Sequence, residues 1–160
     1  MESTVGMGEI MVTESPNLLR SVGIGSCIAV TLYDRDTTVG GLAHVVLPRI
    51  EEAHNKSHPA RFSDVAIGMM IEQMKAQGAS IQNTRAKMFG GANMFPEIIS
   101  SDSAMDIGKR NISAVREELE KHNIEIIAQE VGDHIGRTVL FNTEDGSVVI
   151  RTAHNGEKRY

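Results

Sequence analysis

The chain is sparing with the residue types that most often declare a function: one cysteine, no tryptophan, two tyrosines and four phenylalanines among 160 residues. One cysteine excludes an intramolecular disulfide framework. Met1-Glu2-Ser3-Thr4-Val5 lacks the basic segment and apolar run of a secretion signal, so the expected location is the cytoplasm, where a thiol stays reduced. No apolar run approaches the roughly 18 residues of a membrane span, which argues against direct membrane insertion. The formal charge of −5, with Lys and Arg dispersed and few rings to stack on bases, argues against a nucleic-acid surface. No internal repeat or low-complexity tract divides the chain, and residues 1–160 read as a single domain.

The single cysteine stands in a telling place. Cys27 closes Gly23-Ile24-Gly25-Ser26-Cys27, and His44 follows in Gly40-Gly41-Leu42-Ala43-His44. Cys27 to Tyr33 and Val39 to Leu47 read as two arms of a hairpin around the polar stretch 34–38. Pairing Tyr33 with Thr38 across a four-residue loop sets Cys27 directly opposite His44. Ile28, Val30 and Leu32 then share one face with Val39, Ala43 and Val45, while Cys27 and His44 share the other. Glycines at 23 and 25 allow the backbone to turn tightly before the thiol. The pair suggests a nucleophile and its base. The plainer alternative is a small buried hydrophobe beside a satisfied core histidine.

Elsewhere the patterning predicts alternating elements. Glu51 to Arg61 is polar and reads as an exposed loop; His54 and His58 within it have metal-pair spacing, but Pro59 and the missing third ligand make a metal site the weaker reading. A helix is predicted from Ser63, as N-cap, to Gln77, with Ala66, Met69, Met70, Gln73 and Met74 on its inner face and Gly78 as stop. A strand at Ala86 to Phe89 ends in Gly90-Gly91, which suits close backbone packing better than a phosphate turn. A second helix is predicted from Ile107 to His122, facing inward through Ile112, Val115 and Leu119. Strands follow at 124–131, 138–142 and 147–152, the last two joined as a hairpin at 143–146. Sheets with helices on one side fit this order, an α+β class.

Gly25-Ser26-Cys27, Gly41-Leu42-Ala43-His44 with Leu47-Pro48, Lys87-Met88-Phe89-Gly90-Gly91-Ala92 with Met94-Phe95, and Ile107-Gly108-Lys109-Arg110-Asn111 together resemble the CheD family of chemoreceptor glutamine deamidases. Glu130, Gly132 and Gly136-Arg137 extend the resemblance from about Gly6 to Val149. It implies a three-layer α/β/β sandwich, related in catalytic layout to the bacterial cytotoxic necrotizing factor toxins. Cys27 matches the family's nucleophile and His44 its base. Ser21 matches a third polar position, commonly threonine, and keeps the hydroxyl; the expectation is that it accepts a hydrogen bond from one His44 nitrogen and fixes the tautomer. Asp133 stands where the family often carries glycine. Arg110, Asn111 and Arg137 fall in family blocks with no chemistry assigned beyond structure.

The resemblance implies hydrolysis of glutamine side chains on chemoreceptor cytoplasmic helices through a thioester, with no cofactor or metal. The Cys27 backbone amide and a glycine-rich turn are the expected oxyanion donors. A CheC-type phosphatase of the chemotaxis response regulator is the second implied partner. The competing reading is thus a binding module that mainly regulates that phosphatase. A peptide-cleaving cysteine protease is the weaker third, because nothing marks an extended substrate cleft.

Overall fold

The computed structural model describes residues 1–100 and 103–160. Ten strands and two helices follow one another: β1 (Glu2–Thr4), β2 (Ile10–Glu14), β3 (Leu18–Ile24), β4 (Ile28–Asp34), β5 (Val39–Val45), α1 (Ser63–Ala76), β6 (Thr84–Gly90), α2 (Ile107–Lys121), β7 (Glu125–Val131), β8 (Arg137–Asn142), β9 (Val148–Thr152) and β10 (Gly156–Arg159). They form two five-stranded mixed sheets, ordered β1-β3-β8-β9-β10 and β2-β5-β4-β6-β7. Both helices pack on the second sheet, and the first sheet covers its opposite face. The result is a three-layer α/β/β sandwich.

Two apolar clusters follow from the period-2 alternation of β4 and β5. Ile28, Val30 and Leu32 meet Val39, Ala43 and Val45 beneath the helices, together with Met70, Met74, Val115 and Leu119. Ala29 and Leu42 point the other way, into an inter-sheet cluster with Leu19, Val139, Phe141 and Ile150. With layers on both sides, β4 is predominantly apolar and is buried along nearly its whole length.

The hairpin register departs from the sequence expectation by a matched pair of residues. Asp34 pairs with Val39, Ile28 with Val45, and Ala29, not Cys27, stands opposite His44. The cause is Asp34. Its buried carboxylate accepts from the N–H groups of Asp36 (2.9 Å) and Ser80 (2.8 Å), which holds it as the last strand residue. Thr38, with φ of 56°, then closes a tight turn by donating its N–H to the Asp34 carbonyl at 2.8 Å. Because the slip is even, each side chain keeps its face.

Two smaller expectations are corrected. Ser63 is the first residue of α1 instead of its N-cap, since its hydroxyl donates to the Leu47 carbonyl at 3.0 Å and Phe62 takes the cap position. The buried face of α1 runs through Ala66, Ile67, Met70, Ile71 and Met74, leaving Met69 and Gln73 exposed. Helix α2 starts on an N-cap not anticipated, Asp106, whose carboxylate accepts from the Lys109 N–H at 3.1 Å. It forms the crossover between the parallel strands β6 and β7. Asp133 adopts a left-handed backbone (φ 58°), a conformation that glycine takes freely.

Candidate active site

Cys27 occupies a bend just ahead of β4, and the carbonyls of Gly25, Ser26 and Cys27 are each held. The Gly25 carbonyl accepts from the Ala92 N–H (2.9 Å), the Cys27 carbonyl from the Gly91 N–H (2.8 Å), and the Ser26 carbonyl from Asn111 Nδ2 (2.8 Å). Gly90, at φ 119°, is what lets β6 come this close: a Cβ there would run into the Cys27 carbonyl and Ile24. Gly108 does the same for α2, whose first turn lies against the carbonyls of Gly91 and Ala92. The Cys27 N–H has no backbone carbonyl partner among the described residues.

His44 lies near the end of β5, on the inter-sheet face, diagonal to Cys27. Diagonal neighbours on one face of a sheet stand about 7 to 8 Å apart, a span that a long or aromatic side chain such as an imidazole can cross. Its support is main-chain. Val5 follows β1, which runs parallel to β3, and its N–H donates to the Arg20 carbonyl at 2.7 Å. The Val5 carbonyl then accepts from Ser21 Oγ at 2.7 Å and lies 3.3 Å from His44 Nδ1. A carbonyl only accepts, so this contact places the proton on Nδ1 and the lone pair on Nε2. Nε2 is buried with no hydrogen-bond partner among the described residues.

Ser21 is therefore beside His44 without holding it directly. The expected Ser21–imidazole bond is replaced by two donors converging on one carbonyl, because the hydroxyl at the bulge between Ser21 and Ile24 in the β3–β8 ladder finds Val5 first. The structure thus gathers Cys27, His44 and Ser21 at one end of the sandwich and adds Val5 to them. Burial pushes the Cys27 thiol above its ordinary value, only partly opposed by its own N–H. Burial likewise draws His44 down, against the pull of the Val5 carbonyl and the Glu9 charge. Both groups rest neutral near pH 7.

Asn111, read from the sequence as a structural member of a family block, braces the site. Fully buried in α2, its Nδ2 donates to the Ser26 carbonyl at 2.8 Å and to the Val46 carbonyl at 2.9 Å. One amide thereby clamps the segment ahead of Cys27 to the segment just after His44. A polar, weak helix former at a buried helical position was the available signal. Arg137, also buried, donates from Nε to Glu130 (2.6 Å) and from Nη1 to the Gly132 carbonyl (3.1 Å), tying β8 to the end of β7. His54 and His58 are exposed on the segment before α1.

An apolar rim adjoins the segment just ahead of Cys27. A cavity of about 160 Å³ runs from Ser26 along Ala92, Met94, Phe95, Ile99 and Met105. Met94, Phe95 and Met105 of its lining are exposed, as is Ile98, whose N–H donates to the Phe95 carbonyl at 3.1 Å. A larger hollow, about 350 Å³, lies at the far end of β4 among Thr31, Tyr33, Lys87 and Asp145, away from the thiol.

Residues 46–152 match the family model described as CheD chemotactic sensory transduction. The chain belongs to the CheD family. The family match begins just after His44, but full-length CheD relatives cover the thiol and the histidine as well. "Probable chemoreceptor glutamine deamidase CheD" of Clostridium tetani (strain Massachusetts / E88) is 45% identical over 157 residues, 98% of this chain and 94% of its own. The protein of that name from Clostridium novyi (strain NT) is 43% identical over 155 residues, covering 97% and 95%. "Probable chemoreceptor glutamine deamidase CheD 1" of Methanosarcina acetivorans is 38% identical over 154 residues, covering 96% and 94%. Among the described residues of this CheD chain, no helix is long and apolar enough to cross a membrane.

Proposed function

We propose that this chain deamidates glutamine side chains on the cytoplasmic helices of chemoreceptors, with Cys27 as nucleophile and His44 as base. The observation that carries this reading is a buried imidazole with a bare Nε2 set beside the strand that leads from the only thiol, in a chain of the CheD family. An amide carbon is a poor electrophile, so the reaction needs a thiolate, and amide nitrogen leaves only when protonated. His44 Nε2 takes the Cys27 proton as sulfur adds to the side-chain carbonyl carbon, and the imidazolium returns it to nitrogen as the C–N bond breaks and ammonia leaves. Water then adds to the thioester, giving a proton to neutral His44, and the C–S bond breaks to release glutamate and restore the thiol. Protein groups and water balance every step.

The Cys27 N–H, without a carbonyl partner, suits the oxyanion of both tetrahedral intermediates; loss of such a donor typically costs about 10² to 10³ in turnover. Ser21 acts one step back, loading the Val5 carbonyl that orients His44. A cytoplasmic location follows from the substrate. The apolar rim of Met94, Phe95, Ile98 and Met105 supports docking of a helix at the mouth, and favours a second reading in which a CheC-type phosphatase binds the same place.

Mass spectrometry of a receptor cytoplasmic fragment tests both. The wild type is expected to add about one dalton at defined glutamines, and Cys27→Ala to add none. An unchanged fragment, with retained binding of a CheC-type phosphatase by both proteins, would put the binding-module reading first.

A further inference from the structure

We propose that Glu9 is a positioning residue for His44, acting through the Val5–Gly6 peptide group; this rests on the reading of His44 as base. One planar amide has its two ends engaged by the two side chains. Its carbonyl, on Val5, is the acceptor for His44 Nδ1 at 3.3 Å. Its N–H, on Gly6, donates to Glu9 Oε1 at 2.6 Å. Carboxylate, peptide and imidazole form one unbroken hydrogen-bonded chain, in which each bond polarises the next. Negative charge at the N–H end makes the carbonyl oxygen a stronger acceptor, and that oxygen faces the ring as Nε2 gains a proton.

The local backbone is built to hold this chain. Glu9 returns its own N–H to the Gly6 carbonyl at 3.0 Å, closing the turn 6–9 on itself. The His44 N–H donates to the Glu9 carbonyl (3.1 Å), and the His44 carbonyl accepts from Gly8 (2.9 Å), so the turn is stitched to the histidine's main chain on both sides. The carboxylate itself stays on an exposed residue. The acid therefore influences a buried base without the desolvation cost of a buried charge, since the peptide crosses the boundary in its place.

Other groups around the ring do not duplicate this role. Strand β4 presents Ala29 opposite His44 with the Cys27 thiol ahead of it, β3 presents the uncharged Ser21 hydroxyl, and Arg61 lies over Gly8. Glu9 is the charged group whose field raises the His44 pKa.

Glu9→Gln separates the two roles, because its amide oxygen still accepts from Gly6 N–H while the charge is gone. Nitrogen-15 NMR of the free protein reads the His44 tautomer and titration midpoint, and thermal melting reports the fold. Turnover on the receptor fragment reads kcat and KM. E9Q is expected to melt with the wild type, keep the Nδ1–H tautomer, titrate His44 at lower pH and lose about fivefold in kcat with KM unchanged, the usual margin between a charge-assisted and a neutral hydrogen bond. Glu9→Ala is expected to lose more. A wild-type His44 midpoint and kcat in E9Q would overturn the proposal and leave Glu9 as a brace of the turn. If the wild type deamidates nothing while E9Q still moves the His44 midpoint, the coupling stands and the functional reading falls.

Discussion

Removing the Asn111 amide is expected to loosen the site before it unfolds the protein. Both Nδ2 hydrogens are used, on the carbonyls of Ser26 at 2.8 Å and Val46 at 2.9 Å. A buried acceptor stripped of its donor costs about 1 to 3 kcal/mol. Ser26 and Val46 are half-buried residues, so water partly replaces the amide and the low end applies to each. Asn111 Oδ1 is buried without a partner, and its removal returns a little. Asn111→Ala should therefore cost about 2 kcal/mol, or about 4 to 8 °C in Tm for a chain of this size. Asn111→Asp should cost more, about 3 to 5 kcal/mol, because an unpaired carboxylate would face two carbonyl oxygens. The assay is a thermal melt alongside the rate of Cys27 alkylation by iodoacetamide. The freed 25–27 segment should react faster in Asn111→Ala at temperatures well below its melt. A Tm within 1 °C of wild type, or an unchanged alkylation rate in a destabilised variant, would refute the clamp.

Two further outcomes follow from the same geometry. Gly90→Ala combines a strained positive φ with a Cβ driven into the Cys27 carbonyl, and should destabilise by about 3 kcal/mol or more, measured by urea unfolding. For pH, the fold holds His44 neutral below its ordinary 6.5 and Cys27 protonated above its ordinary 9.0. Midway between those values both groups are essentially neutral in either state; as pH falls through 6.5 the unfolded chain takes up the His44 proton first, and as it rises through 9.0 it loses the Cys27 proton first, so stability falls at both ends. Alkylation of Cys27 should accordingly stay slow up to pH 9.0. Fast alkylation at neutral pH would show a resting thiolate and refute the neutral pair.

How far the sequence could be read depended on whether side chains or main chain carried the information. The faces of β4 and β5 were legible because apolar alternation survives an even slip, whereas their register was not, because it turns on where the Asp34 carboxylate finds its donors. The strands of β8 and β9, and α2 with its inner face, followed from periodicity and breakers. The short β1 and the wholly exposed β10 carry no apolar pattern and exist through pairing with β3 and β9. Ser21 was placed beside His44 by resemblance, but its partner is a carbonyl, and any residue at position 5 would supply the same atom. Asn111 sat inside a quoted block, yet its two acceptors are main-chain oxygens far away in sequence.

The burial that keeps Cys27 protonated has a consequence for its survival. Peroxide attacks the thiolate, and oxidation beyond the sulfenic stage is not readily reversed. A thiol whose pKa is raised, and whose surface is 8% exposed, offers little of the susceptible form to passing oxidants. The same seclusion separates this cysteine from redox sensors, which advertise a stable anion to solvent. A shielded, protonated thiol of this kind reacts with peroxide more slowly than theirs.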